Sequence, residues 1–303
     1  MRLGVGSFEL DVDLKVEAGE VVAVLGPNGA GKTSILRGLA GLLPLDVGRV
    51  ALDGVVLEEP AASVYVPSER RPIGMVFQDY LLFPHLTVVD NIAFGLRSRG
   101  TPRAAATATA RQWLERVGLA AEAERRPGSL SGGEHQLAQI LGMFGMISLP
   151  NALFLLDEPE SHFNPQWRVR FMTRVLDMPT PDGTRRDVSS ASQQDCLLTT
   201  HAPFVPSDMP RDRVFIFGKD TETGVVTVRN PDIETYGTTF DAIIEECFGV
   251  RPPISEEPRQ DIQKLMESND PEEIRTGMMR LGYSVEKAFL ADRLRQLTRK
   301  EEA

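Results

Sequence analysis

The chain has 303 residues, 42% apolar and 25% charged, enough for one large domain or two modest ones with a buried core. Lysine and arginine number 33 against 43 aspartate and glutamate, a formal net charge of −10, which argues against a broad nucleic-acid-binding surface. Two cysteines, Cys196 and Cys247, supply neither a disulfide framework nor a metal cluster and fit a reducing compartment.

The opening, MRLGVGSFELDVDL, alternates apolar and acidic residues and carries no signal-peptide core. Residues 7–16 and 20–25 read as strands, and the second runs into a glycine-rich loop. A helix is expected from Lys32 to about Leu42, then strands in GRVALDG and IGMVFQD. Val88 to about Gly118 is helical in character, with the alanine-rich TPRAAATATARQWLERVGL at its centre. Pro102 sits near that helix's start, where a missing N–H matters little. A second helix is expected from Ser131. The apolar run LGMFGMISLPNALFLL is broken by Ser148, Pro150 and Asn151, so it reads as a helix end entering a buried strand rather than a membrane span. ALFLLDEP and DCLLTTHAP are buried strands, and RVFIFG and GVVTVRN form a late strand pair. Between them, residues 178–195 are rich in Pro, Gly, Ser and charge and read as a loop or mobile insertion. After Gly249, RPPISEEPRQ reads as a linker and the remainder as helical, with apolar residues every three to four positions. The pairs Arg70-Arg71, Arg125-Arg126 and Arg185-Arg186 read as solvated surface.

Three stretches carry chemistry. GPNGAGKTS places Gly26, Pro27, Asn28, Gly29, Ala30, Gly31, Lys32, Thr33 and Ser34 in a phosphate-loop pattern between a strand and a helix. Glycines let backbone N–H groups turn inward around phosphate oxygens, Lys32 reaches the β- and γ-phosphates, and Thr33 offers a hydroxyl to Mg²⁺. The positive end of the following helix points at the same anion. In ALFLLDEPE, Asp157 ends a buried strand where a Mg²⁺ ligand belongs, and Glu158 is the candidate to polarise an attacking water. A solvated acidic turn is the plainer reading of that pair. In LSGGE, Ser131 and Glu134 have the spacing of a capping box. The same serine, with the N–H groups of Gly132 and Gly133, is also suited to face a γ-phosphate held by another subunit.

This combination resembles the ATP-binding cassette (ABC) ATPases. The resemblance implies an α/β P-loop NTPase of ABC type: a RecA-like mixed sheet core with an antiparallel β region, a helical subdomain at about 86–149, and a C-terminal helical extension at 250–303 beyond a 1–249 nucleotide-binding domain. It implies ATP and Mg²⁺ as ligands. It matches Gln78 to the glutamine that senses Mg²⁺ and water, and His201 to the switch histidine at the γ-phosphate. It offers Phe8 as an adenine-stacking ring, with a core phenylalanine as the other reading. It also implies a head-to-tail homodimer sandwiching two ATP molecules.

Residues 1–134 resemble molybdate-type import ATPases in LDVDLKVEAGEVVAVLGPNGAGKTSILRGLAGLLPLDVGRVALDG, ERRPIGMVFQDYLLFPHLTVVDNIAFGLR and WLERVGL. That implies a membrane permease partner, docked near Tyr80, Leu81, Leu82, Phe83, Pro84 and His85, and a location at the inner face of the membrane. Residues 135–303 are similar to SMC-like AAA/ABC ATPases of bacterial defence (retron, Septu and restriction-associated) in LLDEPESHFNPQWRVRF, LLTTHAPFVPSDMP and LGYSVEKAFLADRLRQL. That implies instead a soluble nuclease or toxin partner.

Overall fold

The computed structural model describes residues 1–5, 8–17, 19–78, 82–146, 152–176, 179–180, 183–184, 195–220, 225–252 and 254–301. The chain divides into two compact units, Met1–Phe248 and Gly249–Ala303.

In the first unit, the ribbon β1 (Arg2–Val5) and β2 (Phe8–Asp11) precedes β3 (Val21–Leu25) and α1 (Lys32–Leu39). An antiparallel sheet of β4 (Val50–Leu52), β5 (Val55–Glu59) and β6 (Val64–Tyr65) follows, then β7 (Ile73–Val76). Helices α2 (Val88–Ser98), α3 (Arg103–Arg116) and α4 (Gly132–Met146) lead to β8 (Leu153–Asp157), α5 (Pro165–Val169) and α6 (Phe171–Leu176). The short pair β9 (Pro179–Thr180) and β10 (Gly183–Thr184) comes next. The unit ends with β11 (Asp195–Thr200), α7 (Phe204–Ser207), β12 (Val214–Lys219), β13 (Val226–Arg229) and α8 (Phe240–Phe248).

The main sheet has six strands in the order β13-β12-β3-β11-β8-β7. All neighbours in it are parallel except β13, which lies antiparallel on the β12 edge. All five residues of VVAVL in β3 and all five of LFLLD in β8 are buried. Strands covered on both faces cannot alternate apolar with polar, which is why these segments read as unbroken apolar runs. Alternate side chains enter two cores. Ala23, Leu25, Phe154, Leu156 and Leu198 pack with residues of α2, α3 and α4, whereas Val24, Leu155 and Leu197 pack with Ile35 and Leu36 of α1. Each fully buried Leu or Phe contributes about 1.5–3 kcal/mol relative to exposure. Strands from before and after residue 134 interleave, since β3 lies between β12 and β11. The two stretches of chain therefore build one sheet.

Several sequence expectations change. β1 was not anticipated; it pairs with β2 in the register Leu3↔Leu10, and both leucines are fully buried. Helix α1 stops at Leu39 rather than near Leu42. Arg71 explains the stop: its guanidinium donates to Gly38 O at 3.2 Å and Leu39 O at 2.8 Å, taking the last carbonyls of the helix. Far from being solvated surface, Arg71 is 5% exposed and pairs with buried Glu58 at 2.6 Å. Arg125 and Arg126 are exposed, as expected, while Arg185 and Arg186 lie outside the described residues. The 88–118 segment is two helices, separated by Gly100 at φ 90° and by Pro102, which precedes α3. In the expected 178–195 loop, β9 and β10 form a short antiparallel pair; most of the remainder lies outside the described residues.

The second unit is three helices: α9 (Glu256–Glu267), α10 (Pro271–Arg280) and α11 (Val285–Glu301). Because α9 begins at Glu256, the expected linker is shorter than RPPISEEPRQ. Ile262, Leu265, Ile274 and Leu290 form its buried centre. A Cβ on Gly277 would lie 2.5 Å from the Leu265 side chain, so glycine there lets α9 and α10 approach closely. Among the described residues, no helix is long and apolar enough to cross a membrane.

Candidate functional site

Five parallel strands deliver polar groups at their carboxyl ends, where ligands bind in open α/β sheets. After β3 comes the loop 26–31, and α1 begins at Lys32. Gly26, Gly29 and Gly31 have φ of 146°, 78° and 92°, a region L side chains rarely adopt. A Cβ on Gly26 would stand 2.3 Å from the Phe217 carbonyl oxygen of β12, so packing as well as conformation demands glycine. Lys32 is 6% exposed, and its Nζ donates to the loop carbonyls of Gly26 at 2.8 Å and Pro27 at 3.0 Å. Burial pushes its ammonium down to about 8, against the pull of Glu158 and Asp157.

At the end of β8, Asp157 is 4% exposed. Its Oδ1 accepts from Thr33 Oγ1 at 3.2 Å and from Thr199 Oγ1 at 2.7 Å. The Thr199 hydroxyl in turn accepts from the Glu158 N–H at 3.0 Å. Glu158 has φ 46°, an uncommon conformation for a non-glycine residue, and that turn carries its carboxylate away from the strand. Its Oε1 lies 2.7 Å from His201 Nε2, and Gln78 Nε2 approaches Oε2 at 3.5 Å. The contact with His201 holds the Glu158 carboxyl below its usual range, aided by Lys32 and opposed by burial.

Beside these groups lies a cavity of about 500 Å³ lined by Asn28, Gly29, Lys32, Thr33, Gln78 and Glu158, with Gly31, Ser34 and Lys219 completing it; Asp157 meets it through its bond to Thr33, and His201 lines a neighbouring cavity with Glu158. Gly26 and Pro27 stand behind it, holding Lys32, and Ala30 is fully buried in the core. Its open glycine loop, ammonium and helix N-terminus suit a polyphosphate. Thr33 Oγ1, the Asp157 carboxylate and the Gln78 amide form a hard oxygen set of the kind that holds Mg²⁺ together with phosphate oxygens. Among the described residues, no group of three or more His, Cys, Asp or Glu is placed to hold a metal.

Not every predicted residue reaches this cavity. Ser131, Gly132 and Gly133 are outside its lining. They start α4 through a reciprocal capping box: Glu134 N–H donates to Ser131 Oγ at 3.4 Å, and Ser131 N–H donates to Glu134 Oε2 at 2.7 Å. Gly133 is buried, and a Cβ there would come within 3.0 Å of the Phe163 ring. Phe8 pairs with Val5 in the first ribbon, but its side chain is outside the described structure. Of the candidate docking patch, Tyr80 and Leu81 lie outside the described residues. Leu82 and Phe83 are half-buried, leaving Pro84 and His85 exposed. Asn91 fixes this turn, accepting from Phe83 N–H at 2.7 Å and donating to the Phe83 and Thr87 carbonyls at 3.1 and 2.9 Å.

Two residues were missed in the sequence. Thr199 links both acidic residues, and LLTTHAP names it only once β11 is known to lie beside β8. Lys219 lines the cavity because β12 runs parallel to β3, a pairing that no local signal announces.

The ABC transporter family matches residues 10–161, half of the chain, and the chain belongs to that family. The molybdenum import ATP-binding protein ModC of Mycobacterium tuberculosis (strain ATCC 25618 / H37Rv) is 41% identical over 208 residues, covering 66% of this chain and 52% of ModC. The Fe(3+) ions import ATP-binding protein FbpC of Streptomyces coelicolor is 41% identical over 178 residues, covering 59% of this chain and 49% of that protein. The chain thus spans about half the length of these curated relatives. An alignment of 208 residues must also extend beyond the first 134, so importer likeness continues past the start of α4. Among solved structures, the dimeric post-hydrolysis state of the ATP-binding cassette MJ0796 bound to ADP and Pi superposes with a TM-score of 0.56 at 22% identity, over 78% of this chain and 96% of that one. The fold is that of an ABC-type P-loop ATPase.

Proposed function

We propose that the chain is the ATP-hydrolysing, energy-coupling subunit of an import system. The observation that carries this reading is the convergence of Lys32, Thr33, Gln78, Asp157, Glu158 and His201 at the carboxyl ends of neighbouring parallel strands. Loop amides and Lys32 hold the β- and γ-phosphates of ATP. Thr33, Asp157 and Gln78 would hold Mg²⁺, which when bound neutralises charge on the phosphate oxygens. Glu158 takes a proton from the attacking water, and His201 steadies both that carboxylate and the terminal phosphate. Catalysis is then mainly positioning and charge stabilisation.

The second half of the site comes from a second copy. Ser131 and the start of α4 lie outside the cavity of their own chain, and Ser131 is exposed. In a head-to-tail pair they would close over the partner's ATP, and hydrolysis would remove the bridging phosphate and loosen the pair. The turn at residues 82–85, held by Asn91, is the docking place for a permease, which puts the chain at the inner face of a membrane.

The curated relatives are named for molybdenum, iron and trehalose/maltose import. A molybdate-type oxyanion is the cargo suggested by the 41% match to ModC. No observation favours a soluble, defence-type client. The test is Mg²⁺-dependent ATP hydrolysis by the purified chain, followed by its stimulation in the presence of a co-purifying permease. A chain that neither binds nor hydrolyses MgATP would end this reading.

A further inference from the structure

Beside the phosphate cavity, Glu160 lies in the turn after β8 and is 2% exposed. Its Oε1 accepts from the Thr200 hydroxyl at the end of β11. The same hydroxyl accepts from the Ala202 N–H at 2.9 Å. These bonds flank His201, so the Glu160 carboxyl ties the turn that carries Glu158 to the turn that carries His201. Glu158, Glu160, Ser161, Arg168 and His201 also line a common cavity of about 250 Å³.

Glu160 is a poor choice for stability. Its Oε2 has no hydrogen-bond partner among the described residues, and burial pushes the carboxyl up to about 7. A buried, half-satisfied carboxyl is unfavourable compared with an apolar residue of similar size. A leucine at this position would fill the space without stranding a polar atom on its own side chain. Residues that work against stability are drawn to sites where geometry matters more than packing.

We propose that Glu160 is a positioning residue for hydrolysis, which sets the Glu158–His201 pair through its bond to Thr200. The bond fixes where the His201 backbone turns, and the turn fixes where Nε2 stands, 2.7 Å from Glu158 Oε1. Glu160 does not line the phosphate cavity itself. This rests on the ATPase reading above, because the pair it sets is the one that acts on the attacking water.

The test uses the full 303-residue chain and three variants, Glu160→Leu, Glu160→Gln and Thr200→Val. Each is measured for kcat and KM with MgATP and for thermal midpoint. A misplaced catalytic pair lowers kcat by about 10- to 100-fold in Glu160→Leu, with KM within about twofold and a thermal midpoint equal to or above that of the unmutated chain. Glu160→Gln keeps an oxygen acceptor for Thr200 and retains kcat within about threefold. Thr200→Val matches Glu160→Leu in kcat, and combining the two adds little, because both remove one bond. Wild-type kcat in Glu160→Leu overturns the inference, and so does a Glu160→Gln as slow as Glu160→Leu. A fall in kcat that tracks a fall in thermal midpoint also overturns it, since that is the mark of a merely structural role. Turnover by the unmutated chain tests the ATPase reading separately, and the ratio of each variant to it tests Glu160.

Discussion

The chain contains two glycine-rich helix starts, and they are built differently. At Lys32 the glycines adopt positive φ, the lysine folds back onto loop carbonyls, and the helix opens onto a cavity. At Gly132 the start is closed by its own capping box, and Gly133 is small because Phe163 packs against it. The first opens onto a polar cavity of its own chain. The second is closed on itself, with Ser131 exposed and outside the lining of that cavity. Similar composition thus yields an open, cavity-lining loop in one place and a closed cap in the other.

The largest effect expected from breaking this contrast is at Lys32. Lys32→Ala removes the buried side-chain cation at the helix start, so MgATP affinity falls and turnover drops at least about 100-fold, measured by nucleotide titration and phosphate release. Glu158→Gln should retain ATP binding while kcat falls about 10²- to 10⁴-fold, and the protein should accumulate as a closed pair visible by sizing. Unchanged turnover in that variant would remove Glu158 from its assigned role. Ser131→Ala sharpens the comparison from the other side. Loss of the cap lowers stability by about 1 kcal/mol. Turnover falls while nucleotide binding by a single copy is unaffected; equal turnover would mean the α4 start serves no partner.

A smaller effect is expected from pH. The ammonium of Lys32, lowered to about 8 by burial, loses its proton as pH rises through that value in the free protein. Bound phosphate favours the charged form, so ATP binding takes up a proton there, and affinity declines as pH climbs beyond about 8. Isothermal titration in buffers of different ionisation enthalpy reads that uptake. The smallest change is at Lys219, on the cavity's outer edge: Lys219→Ala should weaken MgATP binding by a few-fold, more at low salt than at high salt.

Much of the site was legible because its signals are local. The GPNGAGKTS loop, the buried run ending at Asp157, and the Ser131–Glu134 spacing each express geometry spanning only a few residues. The same locality explains the errors. Arg71 looked like surface because nothing near it in sequence announces Glu58, or the carbonyls of Gly38 and Leu39 that it caps. The start of the alanine-rich helix at Pro102 was legible, because a proline without an N–H belongs at a helix start. The stretches before and after residue 134 build one sheet, since β3 lies between β12 and β11.

What the sequence alone determined is a phosphate-holding loop, an acidic strand end and a capped helix, since each follows from backbone conformation and burial over one turn or one strand. Tertiary structure decided which of them meet. Thr33 and Asp157 are 124 positions apart, and Glu158 and Thr199 are 41 apart, yet packing of α1 on the sheet joins the first couple and parallel pairing of β8 with β11 the second. Register in a two-faced buried sheet is set by packing across the whole core, and no window of sequence contains that information.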